Sequence, residues 1–173
     1  VKITSSDIAN GDNFGMGVAI SDTKVVVGAQ GNDDSGSNSG SAYIYNLDGT
    51  GEQKIVASDG AANDKFGAAI AIHGNKVVVG AWGDDDRGGQ SGSVYVYNLD
   101  GTGEQKITAS DGADNDQFSN SVAISDTKVA VGATGNDNNK GAAYIYNTDG
   151  TGEVKITASD AATNDRFGSA IAV

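Results

Sequence analysis

The chain is written in short segments whose apolar residues fall at every second position. Between Phe66 and Ile72, Phe66, Ala68, Ile70 and Ile72 alternate with Gly67, Ala69 and Ala71, the period of a strand with a larger and a smaller face. A three-residue turn, His73-Gly74-Asn75, leads into Lys76-Val77-Val78-Val79-Gly80-Ala81, a continuous apolar run that predicts a strand buried on both faces. After a polar loop, Ser93-Val94-Tyr95-Val96-Tyr97-Asn98 places valines on one face and tyrosines on the other. The Asp100-Gly101 pair then signals a hairpin turn. The last strand of the set, Gln105 to Ser110, sets Lys106 and Thr108 against Ile107 and Ala109 and reads as an outer edge. Helical periodicity is nowhere evident, so the fold class is all-β.

The same set repeats. Phe14, Phe66, Phe118 and Phe167 are 52, 52 and 49 residues apart, and a fixed period of about 50 residues marks an array or a propeller. The units run 2–53, 54–105 and 106–154, with a partial unit at 155–173. They predict three four-stranded antiparallel blades of a β-propeller segment, about three and a half repeats in all. An unpaired fourth strand is expected at Lys2 to Ser6 and an unpaired first strand at Phe167 to Val173. The third unit departs from the others in Ser119, which replaces glycine, and in a loop, Gly135 to Lys140, that is three residues shorter. Rings of this kind close with about four to eight blades. Further repeats beyond Val1 and Val173, or self-association of the chain, are therefore expected to complete the ring.

Charge narrows the partners. With 11 basic and 23 acidic residues the net charge is −12, which opposes binding to nucleic acid or to an anionic membrane surface. No stretch approaches the roughly 20 apolar residues of a membrane-crossing helix, so membrane insertion is not expected. The absence of cysteine rules out a disulfide framework.

Phe14-Gly15 with Val27-Gly28-Ala29, Phe66-Gly67 with Val79-Gly80-Ala81, and Phe118 with Val131-Gly132-Ala133 resemble the FG-GAP repeat. That repeat is the blade unit of integrin α-subunit propellers and of many bacterial surface proteins. The resemblance covers essentially the whole chain and implies a propeller at the cell surface. Integrin-type repeats carry a calcium loop of spaced acidic residues between the Phe-Gly and Gly-Ala elements. Here that interval holds only Ser21-Asp22-Thr23, His73-Gly74-Asn75 and Ser125-Asp126-Thr127, too short to wrap an ion that takes six to eight oxygens.

Carboxylates gather elsewhere. In a four-stranded blade the loop between the second and third strands shares a rim with the crossover from the preceding blade. That rim assembles Asp7 and Asp12 with Asp33 and Asp34, and Asp59 and Asp64 with Asp84, Asp85 and Asp86. In the third unit it assembles Asp111, Asp114 and Asp116 with Asp137. Calcium is the one cofactor such a rim brings forward, with the third unit, which carries Lys140 in its loop, binding more weakly. The same residues also serve as turn formers and as a solvated surface. Trp82, the only tryptophan, begins the second acidic loop and can stack on a sugar, anchor a protein partner or pack over the blade edge. His73 is unaccompanied and supports neither a triad nor a zinc site.

No nucleophile–base pair stands out, so the chain reads as non-catalytic: an extracellular or cell-surface module for adhesion, binding or building a larger structure, with a protein or glycan partner. The alternative is an enzyme, or an enzyme-associated domain, acting on polysaccharide.

Overall fold

A computed structural model describes all residues, 1–173. It contains three four-stranded antiparallel sheets, each a meander of consecutive strands. The first holds β1 (Phe14–Ile20), β2 (Lys24–Ala29), β3 (Ser41–Asn46) and β4 (Gln53–Ile55). The second holds β5 (Ala69–His73), β6 (Lys76–Ala81), β7 (Ser93–Asn98) and β8 (Gln105–Ile107). The third holds β9 (Phe118–Ile124), β10 (Lys128–Ala133), β11 (Ala142–Asn147) and β12 (Val154–Ile156). The first strands adjoin one another, β1 against β5 and β5 against β9, and the three-residue fourth strands lie at the far edge of each sheet.

Packing between blades explains the continuous valine runs. Val77 and Val79 face the first blade and join Val26, Ala42, Ile44 and Ile55. Val78, pointing the other way, joins Phe118, Val129 and Val131 of the third blade. A strand sandwiched between two sheets has no polar face, and each valine so buried contributes about 1.5–3 kcal/mol. The recurrent phenylalanine seals each junction. Phe66 stands edge-on to Tyr95 (5.3 Å, 68°) and Tyr97 (6.1 Å, 88°), and Phe118 repeats the arrangement on Tyr144 and Tyr146. Such edge-to-face pairs add about 0.5–1.5 kcal/mol beyond burial.

The glycine after each phenylalanine has a conformational cause. Gly67 takes φ +90°, and a Cβ there would run into the carbonyl oxygen of Ser41. Ser119 occupies the equivalent place at φ +80°, with a hydroxyl that is buried and has no hydrogen-bond partner.

Four details differ from the sequence expectations. β5 begins at Ala69 rather than Phe66, and Phe66 instead makes a single parallel bridge to Gly40 in the loop of the first blade. The fourth strands end at Ile55, Ile107 and Ile156, since the chain must leave the edge to cross to the next blade. Neither Lys2–Ser6 nor Phe167–Val173 forms a strand: no third strand lies beside the former and no second strand beside the latter. Phe167 keeps one parallel bridge to Gly141. The shortened loop of the third unit contains a single helical turn, α1 (Asn136–Asn139), whose Asp137 and Asn138 are left-handed.

The two flanks are not covered as the inner faces are. Phe167 is 36% exposed whereas Phe66 is 1% exposed, and Ile20 is 70% exposed whereas its counterpart Ile124 is 6%. Met16, Val18, Val154 and Ile156 are exposed along with them.

Candidate functional site: an ion-paired acidic rim

Each blade brings a lysine and a tyrosine to the acidic rim by strand register. Lys54 lies opposite Tyr43, Lys106 opposite Tyr95 and Lys155 opposite Tyr144. The pairing puts each ammonium over the neighbouring ring, 5.3–5.4 Å from its centroid. The lysine then meets the carboxylates of the crossover and of the loop between the second and third strands.

The second blade builds the fullest version. Lys106 Nζ donates to Asp59 (2.6 Å), Asp84 (2.9 Å) and Asp86 (2.5 Å), so three acidic groups take up the three donors of one ammonium. Asp84, whose side chain is only 4% exposed, also accepts from Ser93 Oγ (2.8 Å) and Tyr95 Oη (3.1 Å). Tyr95 Oη reaches Asp59 as well, at 2.8 Å. Burial alone would lower the Lys106 pKa, but its bonds to Asp59, Asp86 and Asp84 outweigh that and hold it above the ordinary range. Burial would raise Asp59, yet donation from Lys106 and Tyr95 keeps it below the usual carboxylate value.

The other blades are thinner. Lys54 joins Asp7, at 2.6 Å, and Asp34. Lys155 has Asp111 alone, at 2.7 Å. The difference lies in the loop. Asn32 and Asn136 stand where the second blade has Asp84, and the shortened third loop supplies no counterpart of Asp86 to Lys155.

The rim thus brings together Asp7 with Asp34, and Asp59 with Asp84 and Asp86, the last three presenting oxygens within 4.8 Å of one another. Asp12 and Asp64 do not join the lysines. They are buried and close their own crossover turns, accepting from the N–H of Ala9 (2.9 Å) and Ala61 (2.6 Å). Burial, and after it the charges of Asp84 and Asp85, push Asp64 up to about 6, against the pull of the Ala61 N–H. Asp116, the matching residue of the third blade, is raised by burial although Asn136 Nδ2 donates to it at 3.0 Å. Asp33 accepts from Asn38 N–H within its own loop, and Asp85 is exposed. Trp82 is half-buried at the foot of the acidic loop. His73 is exposed on the opposite rim and meets Asp126 of the next blade at 2.8 Å.

Sequence reasoning overlooked the lysines. Lys106 was expected on a solvent-facing edge; its side chain is 20% exposed and turned inward. The signal was available, since Lys54, Lys106 and Lys155 each precede an isoleucine at the same place in every unit. A charge repeated at one register position, beside an isoleucine that turns into the core, marks a partner as readily as a solubiliser. Any metal at Asp59, Asp84 and Asp86 would take the place of the Lys106 ammonium, and water would have to complete the six to eight oxygens calcium takes.

Three stacked meanders whose first strands adjoin define a β-propeller repeat protein. The FG-GAP repeat pattern matches residues 1–45, 50–97, 102–146 and 151–173, and the chain belongs to the FG-GAP repeat family. No curated protein matches the sequence. Among solved structures the fold is similar to a chain of a nidogen/laminin complex, with a TM-score of 0.58 at 14% identity over 87% of this chain. The match spans 50% of that chain. A weaker likeness to the tricorn protease, TM-score 0.48 at 18% identity, covers 80% of this chain and 12% of that one.

Proposed function

We propose that the chain is a non-catalytic, extracellular binding and structural module whose acidic rim faces a protein or glycan partner. The observation that carries this reading is the repetition of the rim itself. A catalytic centre singles out one constellation, whereas here every blade builds the same lysine, aspartate and tyrosine arrangement. The carboxylates at its centre hold lysines and backbone amides, so their first task is to tie crossover to blade. Exposed loop residues such as Asp33 in the first blade and Asp85 in the second, with the half-buried Trp82 in the same loop as Asp85, form the surface offered to a partner.

The apolar flanks belong to the same proposal. Further copies of the unit, in the same polypeptide or in another, cover Val18 and Ile20 at one end and Ile156 and Phe167 at the other, as the inner blades cover one another. Sedimentation velocity combined with an immobilised panel of glycans and matrix proteins tests the reading. Binding that is reduced by Asp33→Asn with Asp85→Asn, without any turnover of polysaccharide, supports it; a monomer with no ligand on the panel overturns it. The enzymatic alternative would place a polysaccharide-cleaving acid on the same rim, where burial raises both Asp64 and Asp116 although each closes a crossover turn. Polysaccharide turnover that vanishes in Asp64→Asn would favour that alternative.

A further inference from the structure

We propose that the third blade carries a binding cavity of its own for a small carboxylate-bearing saccharide, a hexuronate unit; this rests on the binding-module reading and names a ligand class for one place on the rim. The cavity has a volume of about 400 Å³ and lies between the shortened loop and the crossover that follows β12, a size suited to a small ligand. Its polar walls are Asn136, Asp137, Lys140, Lys155, Thr157 and Ser159.

The other blades show why the space is open. In the first blade Ser35 packs toward Gly60, 3.6 Å from where its Cβ would lie, and in the second Arg87 packs toward Gly112, 3.3 Å from the same point. Both glycines sit in crossovers, and both covering residues belong to the longer loops. The third loop lacks the segment that does the covering, and Ala161, at the position of Gly60 and Gly112, lines a void.

Donor accounting gives the chemistry. An ammonium has three N–H donors. Lys106 uses all three on carboxylates, but Lys155 uses one, on Asp111, and Lys140 one, on Asp137 at 2.9 Å. Two lysines that line the cavity therefore keep two donors each for a ligand. Charge-assisted bonds from such donors favour a carboxylate, while the Thr157 and Ser159 hydroxyls and the Asp137 carboxylate match the hydroxyls of a sugar ring. The loop is also held in a costly conformation: Asp137, Asn138 and Asn139 have φ of 48°, 59° and 63° in succession, a left-handed run of the sort that strains non-glycine residues.

The test is a titration of ¹⁵N-labelled protein with galacturonate, with galactose and sulfate as separate arms. Galacturonate is expected to shift amides confined to residues 136–141 and 155–161, to bind at least tenfold more tightly than galactose, and to lose about tenfold in affinity in Lys140→Gln. The Lys140 side chain is half-exposed and bonded only to Asp137, so the variant keeps its fold, which a melt checks. Shifts elsewhere on the rim, unaltered by Lys140→Gln, would overturn the cavity while leaving the binding module intact. Sulfate binding equal to galacturonate would overturn the saccharide. If galacturonate shifts nothing, the cavity proposal fails whatever ligand the panel finds elsewhere.

Discussion

The second and third blades share a fold, a lysine and a tyrosine, and differ in how the lysine is surrounded. Lys106 holds three carboxylates, one of them the buried Asp84, while Lys155 holds one and faces a cavity. Two small changes separate them: an aspartate replaced by Asn136 and a loop shortened by three residues. A saturated ammonium is a structural fastener, and an unsaturated one keeps donors free. The repeat supplies the scaffold for both, and the variable loop decides which the blade has.

Removing the ammonium gives the largest expected effect. Lys106→Met leaves Asp59, Asp84 and Asp86 facing one another without a cation. For a partly buried cluster the loss is about 2 kcal/mol, between the cost of a buried and an exposed pair. Lys155→Met, with one partner, should cost about 1 kcal/mol or less. Urea denaturation of both variants measures the difference, and equal losses would break the comparison.

Acidity should sharpen it. A carboxyl raised in the folded state above its ordinary value of 3.8 makes the protein most stable when it is protonated. The contribution of Asp64 is present below about pH 4 and is lost as pH rises through about 6. Asp59, Asp7 and Asp111 are lowered and act oppositely, giving up stability only as pH falls below the ordinary carboxylate range. A melt followed from pH 7 to pH 5 should therefore rise. The Asp64 midpoint, read by NMR, should fall in Asp84→Asn, which removes a neighbouring charge. A midpoint that does not move would mean that burial alone sets it.

A smaller effect concerns the junction between these blades. Ser119→Gly removes a left-handed serine and an orphaned hydroxyl, and should stabilise the protein by about 1 kcal/mol after the added flexibility of the unfolded chain is deducted. The reverse change in the second blade, Gly67→Ser, should destabilise it, because its Cβ would run into the Ser41 carbonyl. Thermal melts of the two variants should move in opposite directions.

The blades were legible in the sequence because burial on two faces leaves a plain trace. Lys76–Ala81 and Ser93–Asn98 have the predicted bounds, and the Phe-Gly period gave the number of sheets. The ends were not legible in the same way: Phe167 to Val173 has the pattern of a first strand, but a pattern forms a strand only when a neighbour supplies hydrogen bonds. The rim was half legible. Asp59, Asp84 and Asp86 were placed together by topology, yet Asp64 and Asp84 look alike in sequence, and only the fold shows that one closes a turn while the other meets an ammonium. The cavity has a trace in the shortened loop, but a deletion in sequence does not say whether it weakens a metal site or removes cover.

The central claim is that the cation at the heart of the second blade is the chain's own Lys106. Calcium titration by calorimetry at low salt, on the natural protein and on Lys106→Met, tests it directly. The natural protein should give no binding heat and an unchanged melt with chelator, whereas Lys106→Met should acquire a divalent-cation site and recover stability on adding calcium. Calcium binding at Asp59, Asp84 and Asp86 in the natural protein, undiminished by the presence of the lysine, would contradict it.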